Sequence, residues 1–260
     1  MMGALQGKIA WVTGAGTGIG QAAAVALAQE GATVVLTGRR EAPLAATAAT
    51  IAKDGGKAVV KAGDLTSATA VAAIAADIEK TFGRLDILVN NAGLNIVERS
   101  WQQLKPEGVD TVIQGNLSSA FYCVTAVLPM MRKQKDGVLI HTASMAGRVV
   151  SPLSGTAYTA AKHAVVAMSH SLNMEECING IRSCVVCPGE VATPILDKRP
   201  VPVSQEDRAK MVQSEDCGDL IRYIACLPAH VCINEVHITP TWNRGYVAGL
   251  QQAHVGAGKK

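Results

Sequence analysis

Short apolar runs alternate with longer segments of helical periodicity along almost the whole chain. Runs such as Val34-Val-Leu36 and Ile87-Leu-Val89 contain no polar residue, as expected for strands that are buried on both faces. The predicted strands are residues 8–13, 32–37, 57–62, 85–90, 137–142, 181–187 and 233–239. The predicted helices are residues 19–30, 41–54, 67–82, 107–133, 155–179 and 215–227.

This strict alternation predicts an α/β fold, in which a parallel sheet carries helices on both faces. No linker divides the chain, so we expect a single domain over residues 1–250, followed by a disordered tail, 251–260, of small, polar or basic residues. The irregular stretch from Pro188 to Val203 is long enough to be a functional loop. Ser204-Gln-Glu-Asp207 is typical of a capping box that begins a short helix.

The amino-acid composition excludes several classes of function. Hydrophobic residues make up 48% of the 260 residues, enough for a large core, and the net charge of +3 is too small to indicate nucleic-acid binding. No uninterrupted apolar run reaches the length of about 20 residues that a membrane span needs. Met1 to Gly7 lacks the pattern of a signal peptide. We therefore expect a cytoplasmic protein that binds neither nucleic acid nor membrane.

The seven cysteines are an odd number, which favours free, mostly buried thiols. Cys184-Val-Val-Cys187 has the C-x-x-C spacing but lies in a predicted strand, where residues three apart point to opposite faces. A core role is therefore favoured over a redox or zinc role for this pair. The histidines form no ligand motif, and we predict no metal site.

A glycine-rich turn lies between the first predicted strand and the first predicted helix. Thr13-Gly-Ala-Gly-Thr-Gly-Ile-Gly20 has the spacing G-x-x-x-G-x-G, with an extra glycine at position 16. Glycines allow the backbone to approach a pyrophosphate, and the N-terminus of a helix offers free N–H groups. Strand, glycine turn and helix together indicate a dinucleotide-binding site.

Tyr158-Thr-Ala-Ala-Lys162 follows Ser144 by fourteen residues. Four residues are about one helical turn, so the phenol and the ammonium lie on one helix face. A nearby cation favours the phenolate and lowers a tyrosine pKa from its usual value of about 10. A serine hydroxyl beside the phenol could hold a substrate oxygen while a proton is transferred.

With these motifs, the chain resembles the short-chain dehydrogenase/reductase family from about Leu5 to about Thr241. The resemblance implies a single Rossmann-type doubly wound domain with a seven-stranded parallel sheet. It also implies that Ser144 holds the substrate oxygen, that Tyr158 exchanges the proton, and that Lys162 tunes Tyr158 and binds the nicotinamide ribose. Asn116 would bind a water that links to the lysine.

The resemblance also implies the cofactor contacts. Asn90-Asn-Ala-Gly93 would shape the cleft, and Pro188-Gly189 would turn beneath the nicotinamide, with Val191 and Thr193 near its carboxamide. Asp64 would contact the adenine, although a helix-capping role remains open for it. The full set is Gly14, Gly16, Thr17, Gly18, Ile19, Gly20, Arg39, Asp64, Leu65, Asn91, Ala92, Gly93, Tyr158, Lys162, Pro188, Gly189, Val191 and Thr193.

The end of the second strand favours NADP over NAD. An NAD site usually has an acid there for the ribose hydroxyl, whereas Leu36-Thr-Gly-Arg-Arg40 has none, and an arginine can pair with a 2′-phosphate. Two observations leave NAD open: Thr17 stands where many NADP-dependent members have a basic residue, and Glu41 could reach the ribose.

The activity expected is the interconversion of a carbonyl and a secondary alcohol by hydride transfer. Two alternatives remain: a 3-hydroxy acid (serine-type) dehydrogenase, because Asn234-Glu-Val-His-Ile-Thr-Pro-Thr241 replaces the common Asp-Gly-Gly ending, and a non-catalytic cofactor-binding sensor. Arg99 or Arg148 could meet a carboxylate, although each could instead be a solvated surface charge. The expected substrate lining is Asn95, Arg99, Trp101, Met145, Val149, Leu153, Ile195 and Leu196. The resemblance further implies a homo-oligomer, a tetramer or a dimer, formed through the helices at 107–133 and around Tyr158.

Overall fold

Seven parallel strands form one sheet in the order β3-β2-β1-β4-β5-β6-β7. The computed structural model describes residues 3–199 and 202–257. The strands are β1 Ile9–Thr13, β2 Thr33–Thr37, β3 Lys57–Val60, β4 Ile87–Asn90, β5 Gly137–Thr142, β6 Ile181–Pro188 and β7 Glu235–Ile238. The strand order reverses between β1 and β4, and at such a switch point the carboxyl ends of the strands open a crevice for a ligand.

Helices cover both faces of the sheet, each over its own apolar core. α1, α2 and α8 pack on one face, and α3, α5 and α6 pack on the other. The helices are α1 Gly18–Gln29, α2 Glu41–Lys53, α3 Ala68–Phe82, α4 Pro106–Ile113, α5 Ser119–Gln134, α6 Thr156–Glu176, α7 Gln205–Ala209, α8 Ser214–Ala225 and α9 Arg244–Ala257. The predicted α/β class and the doubly wound seven-stranded parallel sheet are confirmed.

The strand β6 places its two cysteines on opposite faces of the sheet, as its period of two requires. Cys184 belongs to the core beneath α1 and α8, and Cys187 to the core beneath α5 and α6. Burial raises the pKa of Cys184 to about 12 and that of Cys187 to about 11. All seven cysteine thiols, which lie within the described ranges, are free.

The helix predicted over 107–133 is interrupted by one turn of π-helix. α4 ends at Ile113, the π turn covers Gln114–Ser118, and α5 continues from Ser119. Gly115 accommodates the turn, since a Cβ there would lie 2.7 Å from Leu94 Cδ2. Single π turns inside α-helices are often found at functional sites, and this one contains Asn116.

Among the described residues, one helical stretch, Pro106–Gln134, is long and apolar enough to cross a membrane. Half of its most apolar window is buried inside the protein. Its apolar side chains, including Val124, Val127 and Met131, pack into the core on one face of the sheet. The apolar character of this stretch is therefore accounted for by the core.

The C-terminal part of the chain contains a helix that the apolar pattern did not predict. α9 extends to Ala257 and so covers most of the segment 251–260, where we expect a tail, while residues 258–260 lie outside the described residues. The division into a domain over 1–250 and a disordered tail stays a prediction. The short helix predicted after Ser204 is present as α7, and the Ser204 hydroxyl accepts a hydrogen bond from the Asp207 amide at 3.1 Å.

Candidate functional site

The glycine turn leaves the N-terminus of α1 open to a ligand. Gly14 and Gly18 have φ values of +63° and +58°, which side-chain-bearing residues rarely adopt. A Cβ at Gly20 would lie 2.3 Å from the Gly14 carbonyl oxygen, so only glycine permits this packing. The first N–H groups of α1 have no partner within the helix and carry the positive end of its dipole. This arrangement suits the pyrophosphate of a dinucleotide.

A second turn, Asn91-Ala92-Gly93, is held directly against the glycine turn by Thr13. The Thr13 hydroxyl accepts hydrogen bonds from the Asn91 and Ala92 amides at 2.9 and 3.0 Å, and it donates to the Val89 carbonyl at 3.2 Å. The Asn91 amide group also donates to the Thr13 carbonyl at 3.3 Å. β1 and β4 therefore present their two turns as one wall of a cleft.

Ser144, Tyr158 and Lys162 meet at the carboxyl ends of β5 and β6. Ser144 follows β5, while Tyr158 and Lys162 lie one turn apart on α6. The Lys162 ammonium lies 5.5 Å from the centre of the Tyr158 ring and donates a hydrogen bond to the Thr142 carbonyl at 2.8 Å. The three side chains line the same cleft as Gly14 and Gly93.

The pKa values of the pair differ from the sequence-based expectation. Burial raises the pKa of Tyr158 to about 12, although the nearby Ser144 hydroxyl and the charge of Arg99 act in the opposite direction. Burial lowers the pKa of Lys162 to about 8. The expected lowering of the tyrosine pKa by the neighbouring cation was therefore wrong for this structure, because desolvation outweighs the attraction.

Asn116 is held in the π turn by three hydrogen bonds. Its Nδ2 donates to the carbonyls of Leu94 and Val112, both at 2.8 Å, and its Oδ1 accepts from the Leu94 amide at 3.2 Å. Asn116 Oδ1 is also 2.8 Å from where a Cβ of Gly93 would be, and Lys162 Nζ is 3.5 Å from that point. Asn116 thus joins the loop after β4 to the lysine end of the cleft. A water-linked relay through this residue stays a prediction.

The sequence-predicted cofactor residues line two adjoining parts of the cleft. The part with Ser144, Tyr158 and Lys162 also contains Gly14, Thr17, Gly18, Ile19, Asn91, Ala92, Gly93, Asn116, Pro188, Gly189, Val191 and Thr193. The other part adds Gly16, Arg39, Asp64 and Leu65. Gly20 lies beneath the glycine turn instead, in the contact with Gly14 described above.

Asp64 is not the N-cap of α3, because Ser67 has that place and accepts a hydrogen bond from the Ala70 amide at 3.2 Å. The Asp64 carboxylate instead accepts from the Thr66 amide and hydroxyl at 3.0 and 2.8 Å. These bonds, with a smaller contribution from the charge of Arg39, lower its pKa. The carboxylate is therefore fixed at the rim of the cleft beside Arg39.

Only some of the residues expected to contact the substrate line the cleft beside Ser144 and Tyr158. Asn95, Arg99, Leu153, Ile195 and Leu196 lie in its wall. Trp101, Met145 and Val149 do not contribute to that wall, and Trp101 is 79% exposed. Arg148 is also away from the site, since it donates two hydrogen bonds to Glu235 on β7.

Two charged residues in this wall, Glu190 and Arg199, were missed in the sequence. Arg199 Nη1 donates to Glu190 Oε1 at 2.6 Å, and Glu190 also accepts two hydrogen bonds from Arg244 on α9. These bonds lower the pKa of Glu190 to about 2. Glu190 and Arg199 lie in the irregular segment after β6, and Arg244 begins α9, 54 residues after Glu190, so no periodic signal joins the three.

Within the part of the chain that the structure describes, one group of three side chains has the spacing of metal ligands. Ligand atoms of Cys187, Glu235 and His237 lie within 4.8 Å of one another. Glu235 already accepts hydrogen bonds from Arg148 and lies 3.2 Å from His170 Nε2. The charge of Glu235 is thus compensated by protein groups, and the expectation that the protein has no metal site stays a prediction.

Comparison with known proteins agrees with this architecture. The family model for short chain dehydrogenases matches residues 8–201, and the chain belongs to this family. A 3beta-hydroxysteroid dehydrogenase of Mediterraneibacter gnavus is 36% identical over 198 residues, which cover 76% of this chain and 71% of that protein.

Solved structures agree in the same way. A metagenomic short-chain oxidoreductase in complex with NADP has a TM-score of 0.81 and 32% identity, covering 92% of this chain and all of that one. An alcohol dehydrogenase from Thermococcus sibiricus, complexed with 5-hydroxy-NADP, has a TM-score of 0.82 and 25% identity, covering 91% and 98%. The protein is thus a short-chain dehydrogenase with a Rossmann-like fold, in a family of NAD(P)-dependent oxidoreductases.

Proposed function

We propose that this enzyme interconverts a carbonyl compound and a secondary alcohol with NADP(H) as the hydride carrier. The observation that supports the proposal is the meeting of Ser144, Tyr158 and Lys162 at one end of a cleft, while the glycine turn lies in its wall. A cofactor-binding protein without activity would have no need for these three groups beside one another. We further propose that it acts in the cytoplasm as a homo-oligomer, a tetramer or a dimer.

The residues of the cleft fit the cofactor. Gly14 and Gly18 have no side chain that would fill the space before α1, and the Lys162 ammonium would bind a ribose hydroxyl. Arg39, at the rim beside Asp64, would pair with a 2′-phosphate, which is the reason for preferring NADP to NAD. The bound nicotinamide supplies the hydride, and the protein supplies orientation and the proton.

Each catalytic side chain has one role in this proposal. The Ser144 hydroxyl holds the substrate oxygen, and the Tyr158 phenol gives that oxygen its proton during reduction and removes it during oxidation. Lys162, oriented by the Thr142 carbonyl, places a positive charge beside the phenol. That charge matters most while the phenolate is present, because the phenolate is otherwise disfavoured by burial.

A direct test is an assay of hydroxy acids, polyols, sugars and aromatic alcohols, with the matching carbonyl compounds, in the presence of NADP(H) or NAD(H). We expect turnover of at least one pair, with higher kcat/KM for NADP(H). A protein that binds either cofactor tightly but converts no member of the panel would support the sensor alternative instead.

A further inference from the structure

Arg99 occupies a constrained position beside the catalytic tyrosine. It lies in the loop after β4, is 8% exposed and forms part of the cleft wall. Its Nη1 donates to the Leu153 carbonyl at 3.3 Å, while Asn95 Nδ2 donates to the Ser154 carbonyl at 2.9 Å. Both side chains thereby fasten their loop to the turn from which α6 begins.

A glycine makes this close approach possible. Gly155 has φ +79°, and a Cβ there would lie 2.6 Å from Arg99 Cβ. Because Gly155 lies about one helical turn before Tyr158, the arginine stem is packed next to the start of the catalytic helix. The guanidinium is thus fixed at the substrate end of the cleft.

A second guanidinium lies in the same wall. Arg199 and Arg244 both donate hydrogen bonds to the Glu190 carboxylate, so one negative charge there faces two positive charges. The pKa of Arg99 is lowered by burial and by the charge of Arg199, whereas Tyr158 acts to raise it. The buried Arg99 and the half-buried Arg199 make this part of the wall electropositive, which favours an anionic group on the substrate.

We propose that Arg99 binds a carboxylate of the substrate, so that the substrates are oxo acids and the corresponding hydroxy acids. This inference rests on the proposed function, since it places the reacting carbonyl at Ser144 and Tyr158. Arginine matches a carboxylate through two parallel hydrogen bonds. The neighbouring side chains of Leu153, Ile195 and Leu196 are apolar, which suits a short hydrocarbon chain.

The test compares acids with uncharged partners of the same shape. The probes are 2-oxohexanoate, 3-oxohexanoate and 4-oxohexanoate, each beside its methyl ester, with NADPH consumption as the readout. We expect at least one acid to exceed its ester in kcat/KM by about 10- to 100-fold, the effect of a charge-assisted hydrogen bond in a buried site. Arg99→Met should remove this preference, and Arg99→Lys should restore part of it.

Asn95→Ala is the matched control, because Asn95 fastens the same loop to the same turn. If Arg99 only positions that turn, Arg99→Met and Asn95→Ala will both lower the rates of acid and ester by one common factor. The inference requires that the ratio of acid to ester falls in Arg99→Met alone. Equal kcat/KM values for every acid and its ester in the native enzyme would overturn it and leave the proposed function intact.

A binding measurement distinguishes the absence of a carboxylate site from a failure of the proposed function. Calorimetry of the same acids and esters with Tyr158→Phe protein and NADPH requires no turnover. Tighter binding of an acid, lost in Tyr158→Phe/Arg99→Met, would support the carboxylate site even if no probe is reduced. Equal binding of acid and ester would contradict it.

Discussion

The two titrating groups of the site are displaced from their ordinary pKa values in opposite directions. With a pKa of about 12, the Tyr158 phenol is protonated near pH 7, and with a pKa of about 8 the Lys162 ammonium still carries its charge there. The resting site therefore holds a proton donor beside a cation, which suits the reduction of a carbonyl. Because the pKa of Lys162 is lowered to about 8, its ammonium loses a proton and its positive charge as the pH rises above about 8.

We expect the choice between NADP and NAD to depend on Gly38 and Arg39. Thr37 is buried and accepts a hydrogen bond from Trp11 Nε1 at 2.9 Å, so an acid at position 37 would disturb the core. Gly38 lines the cleft, and a Cβ there would meet Leu44 Cδ2 at an ordinary 3.5 Å. Position 38 can therefore accept a carboxylate.

We predict that Gly38→Asp/Arg39→Leu shifts the kcat/KM ratio toward NAD(H) by at least about 10-fold, because it removes a partner of the 2′-phosphate and adds a like charge. Arg40→Leu is the control, since Arg40 lines the same part of the cleft. An unchanged ratio in the double variant, or a native preference for NAD(H), would refute the assignment.

At the scale of elements, Asp86 anchors the start of β4 to β1. It is 3% exposed and accepts hydrogen bonds from the Ile9 amide at 2.8 Å and from Lys8 Nζ and Arg84 Nε, both at 3.0 Å. Burial raises the pKa of Asp86, but the bonds from Arg84, Ile9 and Lys8 outweigh it and the pKa is lowered overall. The charge of Asp86 therefore stabilises the fold above the ordinary aspartate pKa, and this contribution is lost as the pH falls through the depressed pKa.

We predict that Asp86→Asn lowers the free energy of unfolding by about 2 to 3 kcal/mol at pH 7, measured by urea denaturation. This is below the usual cost of breaking a buried ion pair, because Lys8 and Arg84 reach solvent. The difference from the native protein should shrink as the pH falls below about 4. Asp219→Asn, in an exposed pair with Arg222, should change stability by less than about 0.5 kcal/mol. Equal effects of the two substitutions would contradict the anchoring role.

The elements differ in how far the sequence determines them. The strands were predicted to within about two residues of their observed ends because strands buried on both faces are continuously apolar. The π turn at Gln114–Ser118 was not predicted, since one inserted residue hardly alters an apolar helical pattern. α9 was not predicted either, because it contains three glycines, at positions 245, 249 and 256, and glycine disfavours a helix.

The residues of the candidate site also differ in how far the sequence predicts them. The residues of the glycine turn and Tyr158 with Lys162 could be found because each motif is local and its geometry follows from one turn of chain. Glu190, Arg199 and Arg244 could not be found, since their ion pairs join segments up to 54 residues apart. Arg148 has the alternative surface role: it is exposed and pairs with Glu235, 87 residues away in the sequence.

At the scale of the whole molecule, the expected oligomer depends on α5 and α6. Among the small residues of α6, Ala157 and Ala161 are buried within the subunit and cannot contact another subunit. Phe121 on α5 is 43% exposed and is a better candidate for the contact between subunits. We predict by light scattering a mass of two or four times 27.0 kDa.

Phe121→Lys should shift this mass toward the monomer, because a charge would be buried in the contact. Tyr223→Lys is the control, since Tyr223 is exposed on α8 at the opposite face of the sheet. A native monomer at micromolar concentration would contradict the expected assembly.

The proposed function depends most on Tyr158, whose phenol we expect to exchange the proton at the substrate oxygen. This role is tested by measuring kcat and the NADPH dissociation constant of Tyr158→Phe. Tyr122→Phe is the control, because Tyr122 lies on α5 and packs against the hydrophobic core. We predict that Tyr158→Phe lowers kcat by at least about 100-fold, the range of general acid catalysis, while the dissociation constant changes by less than about threefold. Tyr122→Phe should retain its kcat. A Tyr158→Phe enzyme that keeps more than about a tenth of native kcat would show that Tyr158 does not exchange the proton.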